Sequence, residues 1–227
     1  MSYVIASSHE WYPALADNLR QRCNENFVTV RDSTKLTMEY LKSIRASSIF
    51  FPHWSIKIPA EIYEKYECIM FHMTDLPFGR GGSPLQNLIA RGIYETKITS
   101  FRCVQDLDAG PVYLKKPLFL YGSAEEIYIR ASKVIEDMIV EIIKERPEPK
   151  SQGGDIVLFK RRTQKDGEIS KLETLEQAYD FIRMLDAEGY PKAYLETDYF
   201  RFEFSRSSMK IDYIVADVII KRRTNEK

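Results

Sequence analysis

The stretch Cys68-Ile69-Met70-Phe71-His72-Met73-Thr74-Asp75-Leu76-Pro77-Phe78-Gly79-Arg80-Gly81-Gly82-Ser83-Pro84 decides the fold. Four consecutive apolar residues lead into a histidine, the pattern of a short strand buried on both faces. A loop punctuated by Pro and Gly follows, and a helix is predicted to open near Ser83-Pro84, because proline is preorganised for a first helical turn. Strand, loop and helix in that order make one unit of an α/β sheet, and His72 stands at the strand's end. Ligands bind at such ends in open sheets of this kind.

Upstream, the same alternation repeats. Strands are predicted at residues 3–6, 27–30 and 48–51, and helices at residues 13–23, 34–44 and 59–66. This order implies a parallel, doubly wound sheet. Downstream the pattern turns strand-rich: residues 98–104 and 112–120 alternate well enough to pair as antiparallel strands. The first of these runs into Asp106-Leu107-Asp108-Ala109-Gly110-Pro111, so Asp108 also stands near a strand end. A long amphipathic helix is predicted over residues 123–146, with Ser123 and Glu126 as a capping box. Residues 147–154, Pro147-Glu148-Pro149-Lys150-Ser151-Gln152-Gly153-Gly154, read as a linker. A helix over 172–188 and strands at 193–196, 199–205 and 210–221 should follow, the last two as a hairpin. The expected division is a main domain over 1–146, the linker over 147–154 and an α+β extension over 155–227.

Composition narrows the function classes. The chain has 227 residues, 44% of them hydrophobic, enough for a substantial core. Lys and Arg equal Asp and Glu at 33 each, which argues against non-specific nucleic-acid binding. No apolar run approaches a membrane span and no signal-peptide pattern opens the chain, so a cytoplasmic protein is expected. Cys23, Cys68 and Cys103 are odd in number and widely spaced, as in a reduced protein, and His9, His53 and His72 offer no metal-site spacing. The turn Ser7-Ser8-His9-Glu10-Trp11 has no glycine fingerprint for a dinucleotide.

His72, Leu76-Pro77, Arg80-Gly81, Pro84 and the later Asp108-Ala109-Gly110 resemble the core pattern of the N10-formyltetrahydrofolate-dependent formyltransferases. That group includes methionyl-tRNA formyltransferase, glycinamide ribonucleotide transformylase and the sugar N-formyltransferases. The separation of His72 from Asp108, 36 residues, also suits the family. The resemblance is clearest over residues 49–120, with weaker echoes at Arg161-Arg162, Asp166-Gly167 and Tyr190-Pro191. It implies a Rossmann-like, mostly parallel sheet with a small C-terminal helix and hairpin, and N10-formyltetrahydrofolate as formyl donor. His72 and Asp108 would be the catalytic pair.

By the same resemblance, Phe51, His53, Trp54 and Ile56 line the folate pocket from one side, and Gln105, Asp106 and Leu107 from the other. A loop packed over the helix that starts at Pro59 is the competing reading for the first group. Ser8, His9 and Trp11 follow the first strand, where the acceptor would enter, and Arg80 and Gln86 are further candidates for contacting it. Arg80 could equally brace its loop. One position departs from the family pattern: where an asparagine stands two residues before the histidine, this chain has Met70, which offers no amide donor. His72, His53 and Gln86 are the candidate replacements.

Among the family's acceptors, a nucleotide-linked amino sugar is expected, a UDP- or dTDP-4-amino-4,6-dideoxy sugar, with a pseudaminic-type precursor as one option. The chain looks too short after the linker for a tRNA-binding barrel, and its first turn is not a glycine-rich phosphate loop. The hairpin would serve as an accessory element or in a homodimer. A weakened binding module and a formyltetrahydrofolate hydrolase are the alternatives.

Overall fold

The computed structural model describes residues 2–9 and 12–223. A six-stranded sheet dominates, in the order β2-β1-β3-β4-β6-β7. Its members are β1 (Ser2–Ala6), β2 (Phe27–Val30), β3 (Ala46–Phe51), β4 (Glu67–His72), β6 (Glu95–Arg102) and β7 (Val112–Phe119). The first four run parallel, and β6 pairs antiparallel with β4. Hydrogen bonds linking Arg102 to Pro111, Ser100 to Leu114 and Tyr94 to Leu120 set β7 antiparallel to β6. The sheet is thus doubly wound and mostly parallel, as the alternating pattern predicts.

The central strands are apolar over residues 4–6, 49–51 and 68–71, where helices cover them. Val4, Ile49, Phe51, Ile62 and Cys68 share one core cluster with Leu41. The helices are α1 (Leu15–Cys23), α2 (Met38–Ser43), α3 (Ala60–Tyr63), α4 (Pro84–Ile89), α5 (Ala124–Glu145) and α6 (Leu175–Met184). The Ser123–Glu126 capping box forms in both directions at the start of α5. A strand β5 (Phe78–Gly81) pairs with β8 (Val157–Phe159). The last sheet is β11-β10-β9, made of β9 (Ala193–Glu196), β10 (Phe200–Met209) and β11 (Ile214–Arg222), antiparallel throughout.

Three elements differ from the sequence expectation. The helix expected over 34–44 is two pieces, a 3-10 turn at Ser33–Lys35 and α2, because Thr37 adopts an extended backbone and caps Tyr40 with its hydroxyl. The helix expected over 59–66 closes after one turn. β5 lies where a loop was expected: Gly79 and Gly81 have positive φ, a loop signal locally, and only pairing with a strand some 80 residues away makes the segment extended.

The chain forms two compact units that interleave along the sequence. One comprises Met1–Gly81, Thr96–Leu118 and Tyr128–Leu158, and the other Gly82–Glu95, Phe119–Ile127 and Phe159–Lys227. In the first unit, residues 147–154 are tied down rather than free, since Lys150 and Val112 exchange backbone hydrogen bonds of 2.7 and 2.8 Å.

Candidate active site

β4 delivers His72 to the carboxyl edge of the sheet, between β3 and β6. Its Nε2 lies 2.8 Å from the Gly79 carbonyl oxygen. A carbonyl only accepts, so Nε2 carries a hydrogen and Nδ1 points the other way. Nδ1 faces Asp108 Oδ2 at 3.8 Å, and both side chains are about nine-tenths buried. That separation is too long for a hydrogen bond but is close enough for an ion pair when the ring takes a second proton. Asp108 Oδ2 also accepts the Gly81 N–H at 2.8 Å. Two groups expected at neighbouring strand ends are therefore brought together, ring nitrogen facing carboxylate oxygen.

The Asp108 turn has little freedom. Asp108 itself has φ of +51°, a conformation that Asp tolerates better than most residues. At Gly110 a Cβ would stand 1.7 Å from the Arg102 carbonyl oxygen, so the third position of Asp-x-Gly has room only for glycine. Gln152 fastens the turn from outside. Its Nε2 donates to the carbonyls of Asp108 and Gly110 at 2.8 and 2.9 Å. Its Oε1 accepts from Arg80 Nε and a terminal guanidinium nitrogen at 3.1 and 2.7 Å. Arg80 is thus engaged in bracing, one of the two readings its sequence context allowed.

A recess opens at the carboxyl ends of β1, β2 and β3, lined by Ser7, His9, Tyr12, Arg31, Pro52 and His53 among others. Ser8 Oγ donates to the His53 carbonyl at 3.1 Å, joining the loops after β1 and β3. Burial lowers the pKa of His9. Trp11 lies outside the described residues. His53 has φ of +52°. Its Nε2 lies 2.9 Å from Ser132 Oγ, which itself donates to the Tyr128 carbonyl, so His53 is the donor to Ser132. The ring packs edge-on against Tyr128, and burial pushes its pKa down to about 3. A ring so committed does not supply the missing amide.

The proposed folate-side residues separate into two kinds. Phe51 is fully buried in the core cluster, so it is not a lining residue: β3 is flanked by β1 and β4, and its side chains are covered. Trp54, Ile56, Gln105, Asp106 and Leu107 lie on the loops, with Ile56 45% and Leu107 72% exposed. The buried Nε1 of Trp54 has no hydrogen-bond partner. Gln86 corrects a second expectation. It sits on α4 in the other unit, 2% exposed, with its amide donating to the Met184 carbonyl, and so presents no surface to an acceptor. Met70 packs in part against the core cluster, as a thioether on an apolar strand should.

A larger cavity, about 450 Å³, opens at the amino ends of the strands. Its polar groups satisfy one another: Tyr113 and Ser48 hydroxyls donate to Glu67, which pairs with Arg102. It lies at the other end of β4 from His72. Sequence reasoning missed two groups at the carboxyl edge. Arg31 follows β2 as Ser7 follows β1, so the strand-end rule applied evenly would have found it. Gln152 had no such signal, because a Pro- and Gly-rich segment reads as a connector.

Residues 164–221 match the family model described as methionyl-tRNA formyltransferase, C-terminal domain. The segment expected to be an α+β extension without a tRNA-binding barrel thus matches a methionyl-tRNA formyltransferase C-terminal domain, with α6 and a three-stranded sheet as its described elements. A solved structure, methionyl-tRNA formyltransferase from Clostridium thermocellum, is 47% identical, covers 98% of this chain and 100% of its own, and superposes with a TM-score of 0.94. The methionyl-tRNA formyltransferase of Wolbachia pipientis subsp. Culex pipiens (strain wPip) is 27% identical over 160 residues, 68% of this chain and 50% of that protein. The chain spans about half the length of the curated relatives it matches first. The formyltransferase PseJ from Anoxybacillus kamchatkensis, solved with UDP-4,6-dideoxy-4-formamido-L-AltNAc and tetrahydrofolate, is 17% identical over 73% of this chain and 89% of its own, TM-score 0.58, a likeness of fold alone. The chain belongs to the formyltransferase family, of the methionyl-tRNA formyltransferase type.

Proposed function

We propose that this protein moves a formyl group from N10-formyltetrahydrofolate to the primary amine of a nucleotide-linked amino-deoxy sugar. The observation that carries the reading is the His72–Asp108 pair at the carboxyl edge of the sheet, with ring nitrogen and carboxylate oxygen 3.8 Å apart. The donor supplies the formyl carbon; the acceptor supplies the nitrogen. As the new C–N bond forms and the old one breaks, the amine must lose a proton and the departing nitrogen must gain one. Asp108 takes that proton from the amine and shares it with His72 Nδ1, and the pair returns it. Nε2 is spent on Gly79, so His72 offers a donor to the formyl oxygen only as imidazolium, from Nδ1. The half-buried Trp54 and the exposed Ile56 and Leu107 suit the apolar face of a flat ring. Ser8, His9 and the recess beside them serve the acceptor.

The second reading is methionyl-tRNA as acceptor, which the names of the similar proteins favour. Charge argues the other way. The matched segment, 164–221, holds eight Lys and Arg against twelve Asp and Glu, and a polyanion needs a basic face. The test supplies the donor with each acceptor in turn and weighs products by mass spectrometry. A nucleotide amino sugar heavier by one formyl group is expected, and the product should fall at least about a hundredfold in His72→Ala and in Asp108→Asn, the low end for positioned acid–base groups. Formylated methionyl-tRNA with unmodified sugars would replace the acceptor. Folate turnover with water alone would make the protein a hydrolase, and donor binding without turnover a binding module.

A further inference from the structure

Gln152 makes four hydrogen bonds, and every one bears on the turn that carries Asp108. Both N–H groups of its amide go to backbone carbonyls of the turn, on Asp108 itself and on Gly110. Its oxygen is gripped by two nitrogens of Arg80, in the fork geometry that only a guanidinium offers. Arg80 lies in β5, and the next residue, Gly81, donates its N–H to Asp108 Oδ2. The carboxylate is therefore held by β5 directly, and its backbone is held by β5 through Gln152. The segment that brings Gln152 there is itself anchored by the Lys150–Val112 backbone pair. An amide with both donors and its acceptor satisfied has one orientation. It is spent on a residue whose φ of +51° needs support from its surroundings.

We infer that Gln152, gripped by Arg80, is a positioning residue that fixes the Asp108 turn so that Oδ2 faces His72 Nδ1. The segment 147–154 then contributes to the active site instead of merely joining two parts of the chain. The inference rests on the acid–base reading of the His72–Asp108 pair, and its test includes a measurement that needs no turnover. Loss of Gln152 leaves two carbonyls unpaired and frees the turn to rotate, whereas its side chain touches no reacting atom. Its effects should therefore run through Asp108 and vanish when Asp108 can no longer act.

The experiment compares Gln152→Ala, Gln152→Glu, Asp108→Asn and the Gln152→Ala/Asp108→Asn double variant, each with its melting temperature recorded. Gln152→Glu keeps an acceptor for Arg80 but donates nothing to the two carbonyls, so it separates the tie to the turn from the packing of the segment. The first readout is the His72 ring resonance in NMR, assigned against His72→Ala in a protein with three histidines. Both single Gln152 variants should move it in the direction that Asp108→Asn moves it, and the double variant should match Asp108→Asn. The second readout is formyl transfer: kcat should fall tenfold or more in both Gln152 variants with KM values little changed, and Gln152→Ala should cost nothing further in the Asp108→Asn background. A His72 resonance unmoved in folded Gln152→Glu, or losses that simply multiply in the double variant, would overturn the inference. If the wild-type protein transfers no formyl group while the resonances behave as stated, the functional reading fails and the positioning role stands.

Discussion

At the scale of single residues, the site is defined by which hydrogen goes where. The Gly79 carbonyl fixes the His72 tautomer, and that assignment decides which nitrogen can meet a proton. Met70 stands two residues before His72 and on the same side of β4, where the family places an amide. It packs partly against the core. If imidazolium His72 is an adequate donor, Met70→Asn should raise turnover by less than tenfold, about 1.4 kcal/mol of barrier. A rise of a hundredfold or more would mean that the natural site lacks a working donor. His53 gives a different signature. Its pKa is about 3 in the folded protein, below the value near 6.5 of an unfolded histidine. The folded state therefore holds the ring neutral, and its contribution to stability is complete above about pH 6.5. As pH falls below that, only the unfolded chain takes up the proton, and stability should drop by about 1.4 kcal/mol per pH unit until the folded pKa is reached. Urea unfolding at pH 7 and pH 5 should show this slope in the wild type and a shallower one in His53→Gln.

At the scale of elements, what could be read from the chain depended on the range of the interactions. The apolar runs within β1, β3 and β4 carried their own identity, because interior strands of a parallel sheet are covered on both faces. The capping box at Ser123 and the Pro84 start of α4 are local signals, and both are present in the fold. β5 and Gln152 were hidden for a shared reason. Each takes its role from a partner about 70 to 80 residues away, and the Gly and Pro around each advertise flexibility. Phe51 erred the other way: a family role led it to be assigned to the pocket, although its place in a central strand already made it core. The Asp-x-Gly turn lies between these cases, since its glycine has a steric reason that sequence cannot display. Gly110→Ala must push a Cβ away from the Arg102 carbonyl. The turn should move, with kcat reduced at least tenfold and a melting temperature lowered by several degrees, as a change of about 1–2 kcal/mol produces in a domain of this size. An alanine variant with normal kcat would show that the turn can shift without disturbing Asp108.

At the scale of the whole molecule, the open question is which amine the site serves, and the charge distribution speaks to it. A protein that docks tRNA neutralises phosphates with Lys and Arg, and its affinity falls steeply with salt because counterions are released. This chain is neutral overall, and the segment matched to the methionyl-tRNA formyltransferase C-terminal domain carries four more acidic than basic residues. Several of its cations are already committed: Arg183 to Asp180, Lys192 to Asp186, Arg201 to Glu196 and Lys221 to Glu203. Releasing them to phosphate would strand their carboxylates beside a polyanion. We therefore expect fluorescence anisotropy to find no tRNA binding tighter than about 10 μM at 150 mM salt, a level typical of non-specific contacts. Any weaker binding at 50 mM salt should be equal for initiator and elongator tRNA. Micromolar or tighter binding that distinguishes the initiator would place the acceptor among nucleic acids and assign the acidic segment 164–221 a role that its charge does not suggest.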